Sequence, residues 1–172
     1  MKYGSVTLGQ IEAIINKLGG EEGMMRFLSG CVEVTTIRHL IDCNAAPFVP
    51  EDWSVEEHRK GGMLKWDPNE VTLHLSEHQK DGKVIVGTEL HRELKRESVL
   101  NANVLDYLRA HPALIPEEWK GKYVFFWGTI YRNPSGSLCV RFLYFDGGKW
   151  YWDYFWLDFG WSDNDPAASL AS

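Results

Sequence analysis

A chain of 172 residues with a formal charge of −6 suits one domain, or two very small ones, and is long enough to bury a core. Its acidic balance disfavours a dedicated nucleic-acid-binding protein, which relies on bulk positive charge. No apolar run approaches a membrane span and Met1–Gln10 has no apolar stretch behind its lysine, so no membrane contact is expected and the expected setting is the cytoplasm.

Thr7-Leu8-Gly9-Gln10 matches a capping box and predicts a helix whose face is Ile11, Ile14, Ile15 and Leu18, closed by Gly19-Gly20. A second helix follows, with Glu21 and Glu22 at its positive end, Met24, Phe27 and Leu28 as its buried face, and Gly30 closing it. Cys31–Thr36 then alternates like a strand, so no third, basic helix completes a DNA-reading unit. Cys43–Trp53, with two prolines, reads as a surface connection. It is the best internal boundary in an otherwise single compact domain, 1–172, separating a helical and strand unit (1–43) from the remainder (54–172).

Val55–Lys60 runs into Gly61-Gly62, so its basic patch is expected on a loop or the frayed end of a turn. Val71–Leu75 and Lys83–Val86, joined through Asp81-Gly82, predict a small hairpin. Thr88 is placed to cap a helix carrying Leu90 and Leu94, and Asn101 or Asn103 to start another carrying Val104, Leu105 and Leu108, which His111-Pro112 stops. Next comes a three-stranded antiparallel meander: Tyr123–Tyr131, Leu138–Phe145 and Trp150–Leu157. Its turns are Asn133-Pro134-Ser135-Gly136 and Asp146-Gly147-Gly148-Lys149. Asp165-Pro166 reads as the start of a short terminal helix. The fold class is therefore α+β: N-terminal helices and a small strand unit packed with a C-terminal aromatic meander.

Three stretches carry a resemblance: Trp53–Gly62, Val99–Leu108 and Leu114–Arg132, with the ending Asp165-Pro166-Ala167-Ala168. They are similar to a family of small uncharacterised proteins of ultra-small candidate-phyla bacteria, over nearly the whole chain. The resemblance implies a bacterial origin. It brings no activity and therefore no catalytic or binding residue.

The residues themselves offer little chemistry. His74, Glu77 and His78 are the nearest approach to a metal set, but a strand followed by a loop does not align two imidazoles as a helix does. Asp158-Phe159-Gly160 lacks every other kinase element, and Asp163-Asn164-Asp165 lacks the glycine and glutamate of a calcium loop, so helix capping explains it better. Cys31, Cys43 and Cys139 are an odd count without a disulfide or zinc spacing, and free thiols are expected, Cys139 as inert packing in a strand. No cofactor and no metal are expected.

With a two-residue turn at Gly147-Gly148, Phe145 faces Trp150, Leu143 faces Trp152, Arg141 faces Tyr154 and Cys139 faces Trp156. The candidate binding residues are Arg141, Trp150, Trp152, Tyr154 and Trp156. The opposite face, with Leu138, Val140, Phe142, Tyr144, Tyr151, Phe155 and Leu157, reads as core, Asp153 being its polar exception. The tryptophan face is either covered by helices from the first half of the chain or open as an aromatic platform. Trp161, beyond the last strand among polar residues, is expected to matter less for stability than Trp127 or Trp152. The expected function is a non-catalytic interaction module that binds a protein, or self-associates, through the aromatic face. Two alternatives are a small enzyme with a His or carboxylate at the sheet rim, and single-stranded nucleic-acid or carbohydrate binding on the tryptophan face.

Overall fold

The computed structural model describes residues 7–31 and 39–171. The chain divides between residues 38 and 39 into two compact units, each taken by itself. In the first, α1 (Leu8–Lys17) begins at the expected capping box: the Gln10 amide donates to Thr7 Oγ1 at 3.3 Å and the Thr7 amide to Gln10 Oε1 at 2.9 Å. Gly19 and Gly20, at φ 95° and 80°, turn the chain into α2 (Gly20–Leu28). Neither helix buries a side chain, so the apolar faces expected to be buried are half-buried at most. Helices of ten and nine residues have too little surface to enclose one another's apolar stripes. The strand expected over Cys31–Thr36 falls mainly on residues 32–38, outside the described residues.

The second unit runs β1 (Leu40–Asp42), β2 (Ser54–His58), β3 (Met63–Lys65), β4 (Val71–His74), β5 (Ile85–Val86), α3 (Gly87–Leu94), α4 (Ala102–Ala110), β6 (Val124–Phe125), β7 (Thr129–Arg132), β8 (Leu138–Asp146), β9 (Lys149–Trp156), β10 (Gly160–Trp161) and β11 (Ala167–Leu170). The α+β class holds, and the meander is its centre. Gly147 and Gly148 sit at φ 52° and 84°, as a tight hairpin turn requires, and the β8–β9 register is the expected one, Phe145 opposite Trp150 through Cys139 opposite Trp156. The first expected strand is split into β6 and β7 at Phe126-Trp127-Gly128. There the Leu100–Asn101 backbone comes so close that a Cβ on Gly128 would lie 2.8 Å from Asn101 Cα. The split forks the sheet. Beyond β7 lies β2, and beyond β6 lie β11, parallel to it, and then β4.

Of Val55–Lys60, Arg59 and Lys60 lie outside any strand as expected, but Ser54–His58 is strand β2, with a bulge between Val55 and Glu57 that hides the alternation. Val71–Leu75 and Lys83–Val86 do not pair: β4 takes β11 and β5 takes β10, while the intervening residues fold on themselves through Gln79 N to Ser76 O and Lys83 N to Lys80 O. Thr88 does not cap α3, whose N-cap is Val86. Asp165-Pro166 opens strand β11 rather than a helix, and Asp165 accepts from the amide and hydroxyl of Ser162 at 2.8 and 3.0 Å, closing a turn.

Each sheet face carries its own core. On one, Val104, Leu105 and Leu108 of α4 pack with Trp66, Trp119, Phe126 and Leu143, and Trp150 and Trp152 lie against them. On the other, Leu90 and Leu94 of α3 pack with Phe125, Trp127, Val140, Leu157 and Trp161. Trp161 is therefore not peripheral. It is 0 % exposed, its ring 4.3 Å from Phe125 and 4.6 Å from Trp127, because β10 pairs with β5 and turns the indole inward.

Candidate functional site

The structure brings all five candidate residues, Arg141, Trp150, Trp152, Tyr154 and Trp156, onto one face, and then closes much of it. Arg141 is fully buried and grips Asp106 of α4 with both guanidinium nitrogens, at 3.0 and 2.7 Å. Burial works against its charge, but the hydrogen bonds and charge of Asp106 hold its pKa above the ordinary arginine value. The guanidinium carbon stands 4.1 Å from the Trp152 ring centre and 5.2 Å from Phe48, and Trp53 packs edge-on against Tyr154 at 4.6 Å.

Much of the cover is thus the Cys43–Trp53 segment together with α4. Two asparagines bind them: Asn101 Nδ2 donates to the carbonyls of Cys43 and Arg59, both at 2.9 Å, and Asn103 Nδ2 to those of Asp42 and Ala45 at 2.8 and 3.0 Å. Trp150, Trp152, Tyr154 and Trp156 remain half-buried. The Arg141 charge is already satisfied by Asp106, so it is not available to a ligand.

The opposite face is the one left partly open. Near Val140 and Leu157 it is sealed by α3 and Trp161, but toward the Gly147-Gly148 turn that cover ends. Phe142, Tyr144 and Phe155 are half-buried, and Tyr123 and Tyr151 are 48 % and 43 % exposed. A cleft of about 390 Å³ opens here, with Phe125 and Phe142 at its base and Tyr123, Tyr144 and Phe155 around it. Its rings are inclined to one another: Tyr123 to Phe142 by 80° at 5.3 Å, Tyr123 to Tyr144 by 59° at 6.2 Å, and Phe125 to Phe142 by 41° at 4.7 Å.

Asp153 and Asp165 complete the lining. Asp153 stands directly opposite Phe142 and accepts the Tyr154 amide at 2.8 Å, while Asp165 is held by Ser162. Among the described residues neither carboxylate forms an ion pair. The sequence signal for this cleft was Asp153 itself, a charge in the middle of an aromatic strand face. Tyr123 and Asp165 carried none, because β6 and the turn before β11 bring them in from separate parts of the chain.

The remaining polar groups point elsewhere. His74 faces Glu97 at 3.8 Å, His78 faces Glu93 at 2.9 Å, and Glu77 pairs with Lys80 at 2.6 Å, so the three are not brought together. Beside His78, the Ser76 hydroxyl donates to Glu93 rather than to the imidazole, so Ser76 and His78 do not form a nucleophile–base hydrogen bond. His91 approaches Glu57 at 3.2 Å and stacks on Trp127; burial pushes its pKa down against the pull of Glu57. Burial, reinforced by Asp158, pushes the Cys139 thiol up to about 11, and burial also raises that of Cys43. Among the described residues no helix is long and apolar enough to cross a membrane. Comparison of the chain with protein families, with curated proteins and with solved structures finds no match in any of the three.

Proposed function

We propose that this chain is a non-catalytic interaction module that binds another protein through the open half of the meander, not through its tryptophan face. The observation that carries the reading is the pair of half-exposed rings, Tyr123 and Tyr151, flanking an aromatic cleft beside two carboxylates that have no ion-pair partner among the described residues. Exposed contiguous aromatic surface is characteristic of interaction sites, and tyrosine suits them because it offers apolar area with a polar tip. The partner's contacting surface is basic. A second copy of this acidic chain would bring like charge to the same face, which disfavours self-association there. A bacterial cytoplasm is the setting proposed.

A photo-crosslinking side chain placed at Tyr151, and separately at Phe48 on the rim of the tryptophan face, tests this in cells. A discrete protein adduct from Tyr151 and none from Phe48 is expected. Adducts from Phe48 alone would return recognition to the tryptophan face.

A further inference from the structure

We infer that the cleft between Tyr123, Phe142, Tyr144 and Phe155 receives an alkylated ammonium group, the side chain of a methylated lysine on the protein partner; this rests on the reading of that face as the recognition surface. The cleft has the two components such a cation selects. Aromatic faces attract positive charge through the ring quadrupole, and rings inclined by 80° and 59° surround a rounded head better than a flat one. A guanidinium is planar and prefers to stack on a single ring, or to fork onto a carboxylate, whereas the alkylated ammonium spreads its charge over methyl groups in all directions.

Counter-charge comes from Asp153 and Asp165. Both line the cleft, and neither has a basic partner among the described residues. Asp153 is an exposed charge standing where an apolar residue would continue the strand face opposite Phe142, and a cation entering the cleft gives it a partner. At about 390 Å³ the cleft lies at the small end of ligand sites, suited to a head group and part of its stem. An unmodified lysine is a poorer fit, because its ammonium is strongly hydrated and must shed that water to meet the aromatic walls.

Titration calorimetry with short peptides carrying one trimethyllysine decides the matter. Four competitors are used: the same peptide with unmodified lysine, with arginine, with the uncharged isostere in which carbon replaces the nitrogen, and choline alone. The trimethyllysine peptide is expected to bind about tenfold more tightly than the uncharged isostere, the size of effect a desolvated cation–π contact supplies. It should also exceed lysine, arginine and choline.

Asp153→Asn, an exposed substitution that leaves the melting temperature unchanged, should weaken the trimethyllysine peptide severalfold and leave the isostere unaffected; Tyr123→Ala should abolish the preference. Equal binding of the uncharged isostere overturns the cation assignment, as does tighter binding of arginine or lysine. Tighter binding of choline overturns the protein source. Absence of saturable binding, with Tyr151 still crosslinking a partner, overturns the ammonium assignment while the recognition face stands; absence of both removes the two together.

Discussion

Removing Asp106 should destabilise the second unit more than any other single change to a charged residue. Among the described residues its carboxylate is the sole counter-charge for Arg141, whose side chain has no exposed surface, while Asp106 itself is 29 % exposed. Stripping one partner from a buried pair costs about 3–5 kcal/mol, because the remaining charge is left in a medium that cannot solvate it. Partial exposure of Asp106 and the rings of Trp152 and Phe48 place Asp106→Ala near the lower end, about 3 kcal/mol.

In a domain whose total stability is of order 5–15 kcal/mol, that corresponds to a fall in Tm of roughly 10 °C. The double variant Arg141→Met, Asp106→Leu exchanges the pair for apolar groups of similar length and should recover most of the loss. Urea denaturation of wild type, Asp106→Ala and the double variant, followed by circular dichroism, measures both quantities. Asp106→Ala within 0.5 kcal/mol of wild type would refute the claim that the tryptophan face is closed around a buried charge.

Trp161→Ala should cost about 3–5 kcal/mol in the same assay, as a fully buried indole does, whereas Tyr151→Ser should change stability by less than about 0.5 kcal/mol; similar losses would contradict the division into closed and open faces. Gly128→Ala should destabilise by about 1–3 kcal/mol, since its Cβ would meet the Asn101 backbone at 2.8 Å, and a wild-type melting curve would disprove that close approach. In the native protein only exposed Cys31 should react rapidly with a thiol reagent at pH 8, with Cys43 and Cys139 joining after denaturation; fast labelling of Cys139 would contradict its thiol lying near 11.

Folded His91 has a pKa below its ordinary 6.5, so between that value and the lowered one the unfolded chain holds the extra proton. Stability should therefore decline as pH falls below about 6.5, and His91→Gln should flatten this part of the profile, whereas an unchanged slope would exclude His91 as its source.

How much of this was legible in the sequence depends on how local each cause is. The β8–β9 register followed from two glycines and strict alternation, and the capping box at Thr7 from four adjacent residues, so both were readable. Trp161 was misjudged because its burial depends on Ile85, its distant pairing partner, and β11 was misread because Asp-Pro serves a turn as well as a helix start. Which meander face stays open is less local still. It is set by Asn101 and Asn103 tying the Cys43–Trp53 segment to α4, and by Asp106 reaching Arg141, contacts that no periodicity announces. The exception is Asp153, whose misfit on an apolar face was visible from the start and now lines the cleft.

The most direct test of the central claim, that the meander is closed on its tryptophan side and open at the Tyr123–Tyr151 end of the other, is hydroxyl-radical footprinting of the free protein read by mass spectrometry. Tyr123, Tyr151 and Phe159, 48 %, 43 % and 54 % exposed, should oxidise readily, while Trp127, Tyr131 and Trp161, at most 1 % exposed, should be protected until the protein unfolds. Protection of Tyr123 and Tyr151 together with ready oxidation of Tyr131 would reverse the assignment of the two faces and contradict the account.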